Sequence, residues 1–158
     1  MKAIIKKLLK PIMFIRRLYW RLLRPTTIGV RALLLTKDKK IYLILHNYSN
    51  KFYLPGGKVK KGESLEKAVK REIKEEIGDV EYQSLEVFST YFNNFEFKCD
   101  YITVFVAFIS NEIKTKSDFI EVDEARIFNL NKLPDNISPG TKRRILEYLG
   151  NKEKSFSW

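Results

Sequence analysis

From residue 26 onward the chain alternates apolar stretches with short polar segments rich in turn-forming residues. Residues 27–36 and 41–46 are dense in β-branched and apolar side chains and flank Lys37-Asp38-Lys39-Lys40, the pattern expected of a β-hairpin. The next segment carries Phe52-Tyr53-Leu54-Pro55-Gly56-Gly57 and reads as a loop, because proline removes a donor and paired glycines permit unusual backbone angles. Ser64 is placed to cap a helix reaching Gly78, with Glu66 in the first turn and glycine at the end. Residues 80–92 and 97–109 then read as long strands joined by a polar turn at Asn93-Asn94. Residues 126–130 add a short strand, and a last helix runs from about Ser138-Pro139 to Gly150.

The first 24 residues follow a different rule. At about 100° per residue, Ile4, Ile5, Leu8, Leu9, Ile12, Ile15, Leu18, Tyr19, Leu22 and Leu23 share one broad face, with most basic residues opposite. Pro11 either kinks such a helix or opens a second one. The segment contributes +8 of the chain's net charge of +11, leaving +3 for the body. Its longest uncharged run, residues 11–15, is far too short to span a membrane or to form the apolar core of a signal peptide. Three roles remain open for it: docking on its own domain, forming a homodimer interface, or lying on an anionic membrane surface. Its broad apolar face suits lipid or protein better than nucleic acid.

A chain of 158 residues, 44% apolar, is the size of one self-sufficient domain. The divisions are a basic amphipathic extension over 1–25, a main domain over 26–150 and a short C-terminal tail over 151–158. A single cysteine, Cys99, allows no intrachain disulfide, so a reducing, cytoplasmic setting is expected, with peripheral contact at the inner membrane surface left to the extension.

The chemistry concentrates on the helix that Ser64 caps. With Leu65 at 0°, Val69, Ile73 and Ile77 fall at roughly 40°, 80° and 120°, and Glu76, Glu72 and Glu75 at roughly 20°, −20° and −80°. The acids therefore share the apolar side, while Lys67, Lys70, Arg71 and Lys74 point away. Carboxylates at i, i+3 and i+4 repel one another, and partial burial adds a desolvation cost that a divalent cation relieves. Oxygen-only ligands suit a hard ion such as Mg²⁺, which keeps several waters and bridges carboxylates to phosphates. The competing reading is a solvated helix with pairs of the Glu66–Lys70 kind.

The spacing decides between them. Gly57, five residues, Glu63, seven residues, then Arg71-Glu72-Ile73-Lys74-Glu75-Glu76-Ile77-Gly78 resembles the Nudix box, with one departure, Asp79 where an apolar residue is usual. Leu54-Pro55-Gly56-Gly57 resembles the family's lead-in, and residues 121–126 with Phe128 and Leu133-Pro134 resemble its downstream stretch. The resemblance implies a Nudix-type α/β/α sandwich with a central mixed β-sheet. It also implies Mg²⁺-dependent cleavage of the pyrophosphate bond of a small-molecule nucleoside diphosphate derivative, with Mn²⁺ able to substitute. By the same resemblance Glu72, Glu75 and Glu76 hold metal, the Gly56 carbonyl adds a ligand, and Glu63 reaches metal directly or through water. Arg71 and Gly57 support the site, and Glu72 is the favoured general base with Glu121 its rival.

Around that centre, Phe52, Tyr53 and Tyr91 are expected to touch substrate, with Tyr48, Phe92 and Phe95 also flanking the region. His46, the lone histidine, reads more readily as structural than as a phosphate contact. ADP-ribose-cleaving members of the family often carry a proline about fifteen residues beyond the box; here none lies between Pro55 and Pro134, so nucleotide sugars or similar diphosphate derivatives are favoured. The alternative class is a non-catalytic Nudix-like module binding nucleotide or RNA, disfavoured because the box glutamates are all present.

Overall fold

The computed structural model describes residues 25–94, 99–110 and 122–158. The amphipathic reading of residues 1–24 lies outside these. The elements in chain order are β1 (Thr26–Thr36), β2 (Lys40–His46), β3 (Phe52–Tyr53), α1 (Leu65–Glu76), β4 (Tyr82–Asn93), β5 (Cys99–Ile109), β6 (Val122–Asn129) and α2 (Pro139–Tyr148). Among the described residues no helix is long and apolar enough to cross a membrane.

The strands form one six-stranded mixed sheet ordered β3-β2-β1-β5-β4, with β6 on β2. The β1–β5 pair is parallel and in unbroken register from Thr26↔Cys99 to Thr36↔Ile109; the other ladders are antiparallel. As an interior strand, β1 is buried on both faces, which explains its near-continuous apolar run. Ala32 and Leu34 join Tyr42, Ile44, Phe105 and the α1 residues Ala68, Val69 and Ile73 in one core, and Leu33 and Leu35 join Ile41, Leu43, Val104 and Ile145 of α2 in the other. The protein is thus an α/β/α sandwich, with α1 and α2 on opposite faces of the sheet.

Two elements differ from the sequence expectation. The segment at Phe52, read as loop, contains β3, a strand too short for periodicity to reveal and held by pairing with Ile44 and Leu45. The strand expected over 126–130 begins at Val122, because β2 templates the whole length of β6 despite the polar residues at its start. The C-terminal tail returns to the sheet: Phe92 N–H donates to the Phe156 carbonyl at 2.8 Å, and Trp158 N–H to the Phe92 carbonyl at 3.0 Å.

Beneath that tail the second core contains a buried polar group. Arg144 and Glu147 pair at 2.7 Å with both side chains fully buried, and the guanidinium lies 3.8 Å from the Tyr91 ring centroid. The Tyr91 hydroxyl donates to Glu147 Oε2 at 2.8 Å, and Arg144 Nη1 donates to the Ser157 carbonyl at 3.0 Å. Burial first, then the bond to Glu147, pushes the Tyr91 hydroxyl up to about 12 from its usual 10.0. The fold therefore favours the neutral phenol, so its contribution is complete below pH 10 and is lost as pH rises through 10 toward 12. In urea melts, Tyr91→Phe is expected to be less stable than the wild type at pH 8 by about 1–3 kcal/mol, because Glu147 loses a donor. That gap should narrow between pH 10 and 12; a constant gap would refute the assignment.

Candidate active site

The site begins at the turn after β3. Ala32 N–H donates to the Pro55 carbonyl and Val30 N–H to the Gly57 carbonyl, each at 2.9 Å, so the turn lies along the open edge of β1. Gly56 adopts φ +137°, and a Cβ there would stand 2.2 Å from the Val30 carbonyl oxygen, so only glycine fits. This approach aims Gly56 N–H at α1, where it donates to Glu76 Oε2 at 2.7 Å. Glu76 is 8% exposed at the end of the helix's buried face.

Helix α1 starts where the Ser64 hydroxyl accepts Lys67 N–H at 3.2 Å, an N-cap that sets the phase of every carboxylate after it. The helical wheel turned Arg71 away from the acids; its long side chain instead folds back among them. Arg71 Nε and Nη2 form a fork on Glu63 at 2.8 and 2.9 Å, and Nη1 reaches Glu72 at 2.6 Å and Glu75 at 3.0 Å. Nη2 also donates to the Lys58 carbonyl at 3.1 Å, tying the helix to the strand-to-helix loop. The Arg71 bond, then Lys60 N–H, holds the Glu63 carboxyl at about 2, and Glu63 in turn, followed by Glu72 and Glu75, raises the affinity of Arg71 for its proton. Both Glu63 oxygens are thereby engaged, and Glu63 serves as the strut for Arg71.

Glu72, Glu75, Glu76, Gly56 and Gly57 line one cavity of about 610 Å³. Besides Arg71 and Val59, its lining is cationic and aromatic: Arg31, Lys58, Lys60, Lys61, His46 and Tyr48. The ring of His46, 7% exposed, stacks on Tyr48 with centroids 4.9 Å apart and planes 9° apart, and Tyr48 is 74% exposed. Tyr53 packs at 5.7 Å from His46 and bonds Ser49 through its hydroxyl at 3.1 Å. The β2–β6 register shifts between Leu45 and His46, an irregularity of the kind that re-aims a side chain at a strand end.

Two expected substrate contacts lie elsewhere. Phe52 is 3% exposed against Phe128, and Tyr91 is fully buried with Glu147, both in the core under α2. The place of Phe52 beside the glycine turn and of Tyr91 near a strand end does not reveal that these rings face the core under α2. Glu121 and Phe95 lie outside the described residues. Sequence reasoning passed over Arg31 and the lysines at 58, 60 and 61. The signal for Arg31 was present, a lone charge inside the apolar run of β1.

All three carboxylates offer oxygen, and the Gly56 carbonyl belongs to the same turn, a donor set suited to a hard cation. Among the described residues no three acidic or imidazole side chains converge as a finished cage. Mg²⁺ does not require one, since it binds through one or two carboxylates and completes its shell with water and phosphate. The residues therefore fit such an ion.

The profile of the NUDIX domain family matches residues 25–149. A protein of Methanocaldococcus jannaschii named ADP-ribose pyrophosphatase is 37% identical over 106 residues, covering 64% of this chain. The matched region spans 61% of that relative's length. The crystal structure of MutT protein from Methanosarcina mazei Go1 superposes with a TM-score of 0.65 at 25% identity, covering 84% of this chain and 99% of that one. The MutT NUDIX hydrolase of Burkholderia pseudomallei gives 0.63 at 25% identity, covering 76% and 95%.

The two glycines of the turn make a test of the geometry. A Cβ at Gly56 meets backbone, whereas one at Gly57 lies 2.5 Å from the carboxylate at the flexible end of Glu72. Gly56→Ala is expected to cost about 1–3 kcal/mol or more and to lower Tm by several degrees. Gly57→Ala should melt within about 2 °C of the wild type yet bind Mn²⁺ roughly tenfold more weakly by calorimetry, having displaced Glu72. Unchanged Mn²⁺ affinity in Gly57→Ala would remove Glu72 from the metal site.

Proposed function

The chain belongs to the NUDIX domain family, and from that premise we propose that it is a divalent-metal-dependent hydrolase of nucleoside diphosphate derivatives, yielding a nucleoside monophosphate and a phosphorylated product. The observation that carries this reading is a single cavity lined both by the carboxylates of α1 and by cations of β1 and the strand-to-helix loop. A diphosphate is kinetically inert because its anionic oxygens repel nucleophiles, and a pocket of this kind addresses both the charge and the attacking water.

Glu72, Glu75 and Glu76 are the residues that would hold Mg²⁺, with the Gly56 carbonyl beside them. When bound, the ion neutralises phosphate charge and lowers the pKa of water. Glu76 is oriented by Gly56 N–H, and Glu72 and Glu75 are spaced by Arg71 Nη1. Glu72 takes the proton of the attacking water as its oxygen bonds to phosphorus and the bridging P–O bond breaks, the electron pair leaving with the departing phosphate. Lys58, Lys60 and Lys61 screen the anionic substrate on entry, and the exposed face of Tyr48 offers a platform for a planar base.

Nucleotide sugars are the favoured substrates, and the name of the methanococcal relative puts ADP-ribose beside them. Phosphate release coupled to a phosphatase tests the reading on nucleotide sugars, ADP-ribose, dinucleoside polyphosphates and nucleoside triphosphates, with Mg²⁺ or EDTA. Turnover should require Mg²⁺, favour diphosphate derivatives and fall by about 10²-fold or more in Glu72→Gln and Glu76→Gln. Absence of turnover across the panel would leave a binding module in its place.

A further inference from the structure

Arg31 occupies a costly position. It sits in β1 between Val30 and Ala32, both fully buried, where a charged residue is rarely placed without a partner. Its Nη1 is buried and makes no hydrogen bond, and among the described residues no carboxylate forms an ion pair with it. The fully buried Arg144 shows what a structural role requires: its Nε also lacks a partner, but both of its Nη atoms are held, by Glu147, Ser155 and the Ser157 carbonyl. Arg71 is saturated, by Glu63, Glu72, Glu75 and a backbone carbonyl. Carboxylates abound on α1, yet Glu66 pairs with Lys70, and Glu72 and Glu75 pair with Arg71.

Location supplies the reason. Arg31 lines the 610 Å³ cavity of the carboxylates and also a neighbouring one of about 270 Å³, and Gly57 and Lys58 are common to both. It therefore stands at the junction between the metal-binding wall and the adjoining space. Arg31 lines the cavity, so an anion entering it meets a guanidinium whose donors are not all engaged, and the planar fork matches phosphate better than a lysine ammonium does.

We propose that Arg31 is the receptor for phosphate oxygens of the substrate's diphosphate, in the cavity that Glu72, Glu75 and Glu76 also line, and that it sets the requirement for a diphosphate. The inference rests on reading this cavity as a diphosphate pocket. The cost of the unpaired donor in the ligand-free protein is offset only when phosphate arrives, so Arg31 favours binding at the expense of stability.

The test uses the full chain with inorganic pyrophosphate and ADP as probes, by calorimetry in Mg²⁺, together with melting curves and kinetics. Arg31→Met keeps the aliphatic stem and removes the charge. It should melt at or above the wild-type temperature without ligand, bind both probes roughly 10- to 100-fold more weakly, and lose kcat/KM in proportion, with Arg31→Lys recovering part of the loss. A ligand-free Tm several degrees below wild type would make Arg31 structural and overturn the proposal, as would probe affinities within about twofold of wild type. If the wild type hydrolyses nothing but probe binding still depends on Arg31, the receptor stands and the hydrolase reading falls. If the wild type turns over its substrate and Arg31→Met binds the probes as tightly, the hydrolase stands and the receptor falls.

Discussion

The site depends on how closely the turn at residues 55–57 lies against β1. A backbone approach that leaves no room for a single methyl group, 2.2 Å from the Val30 carbonyl oxygen to a hypothetical Cβ at Gly56, brings the amide of Gly56 to the carboxylate of Glu76. Two further backbone bonds, to Pro55 and Gly57, hold the turn in place. Helix α1 is thus fixed at its C-terminal end by a hydrogen bond across the cavity floor and along its length by Ala68, Val69 and Ile73 in the core. Apolar packing alone would leave the rotation of the helix loosely specified; the Glu76 bond sets it, and with it the positions of Glu72 and Glu75.

Charge is organised around that frame in two different ways. Arg71 is surrounded by three carboxylates and a carbonyl, so its charge serves to space them. The other cations of the cavity, Arg31, Lys58, Lys60 and Lys61, are contributed by β1 and the strand-to-helix loop, elements distinct from the helix that carries the acids. Their place off the helix keeps them out of the local i,i+4 pairs that Glu66–Lys70 and Arg71–Glu75 form on it.

Much of this is legible in the amino-acid sequence. The cap at Ser64, the glycine turn and the box spacing locate α1 and its carboxylates, because those signals are local and each has a mechanical cause. The direction of Arg71 escapes a helical wheel because the wheel places Cβ atoms, and a guanidinium several bonds farther out can reach back round the helix. Phe52 and Tyr91 escape because position near a turn or a strand end does not reveal which face of a sheet a ring takes. The meeting of Arg31, His46 and Tyr48 with the acids follows from how β2 departs from β1 and from the register shift at His46, neither of which has a signature in one sequence. In each case the missing information is tertiary.

The parallel pairing of β1 with β5 has a consequence in time. Residues 73 positions apart, such as Thr27 and Asp100, must meet before the central ladder exists, and β1 is apolar on both faces until then. Closing so long a loop has to precede the contacts that reward it, which slows folding relative to a chain of hairpins. During synthesis β1 and β2 emerge long before β5, so the nascent chain carries an unpaired, sticky strand edge while the residues between them are added. The element at the centre of the finished sheet is therefore the one most in need of a chaperone, and aggregation on overproduction should start from it.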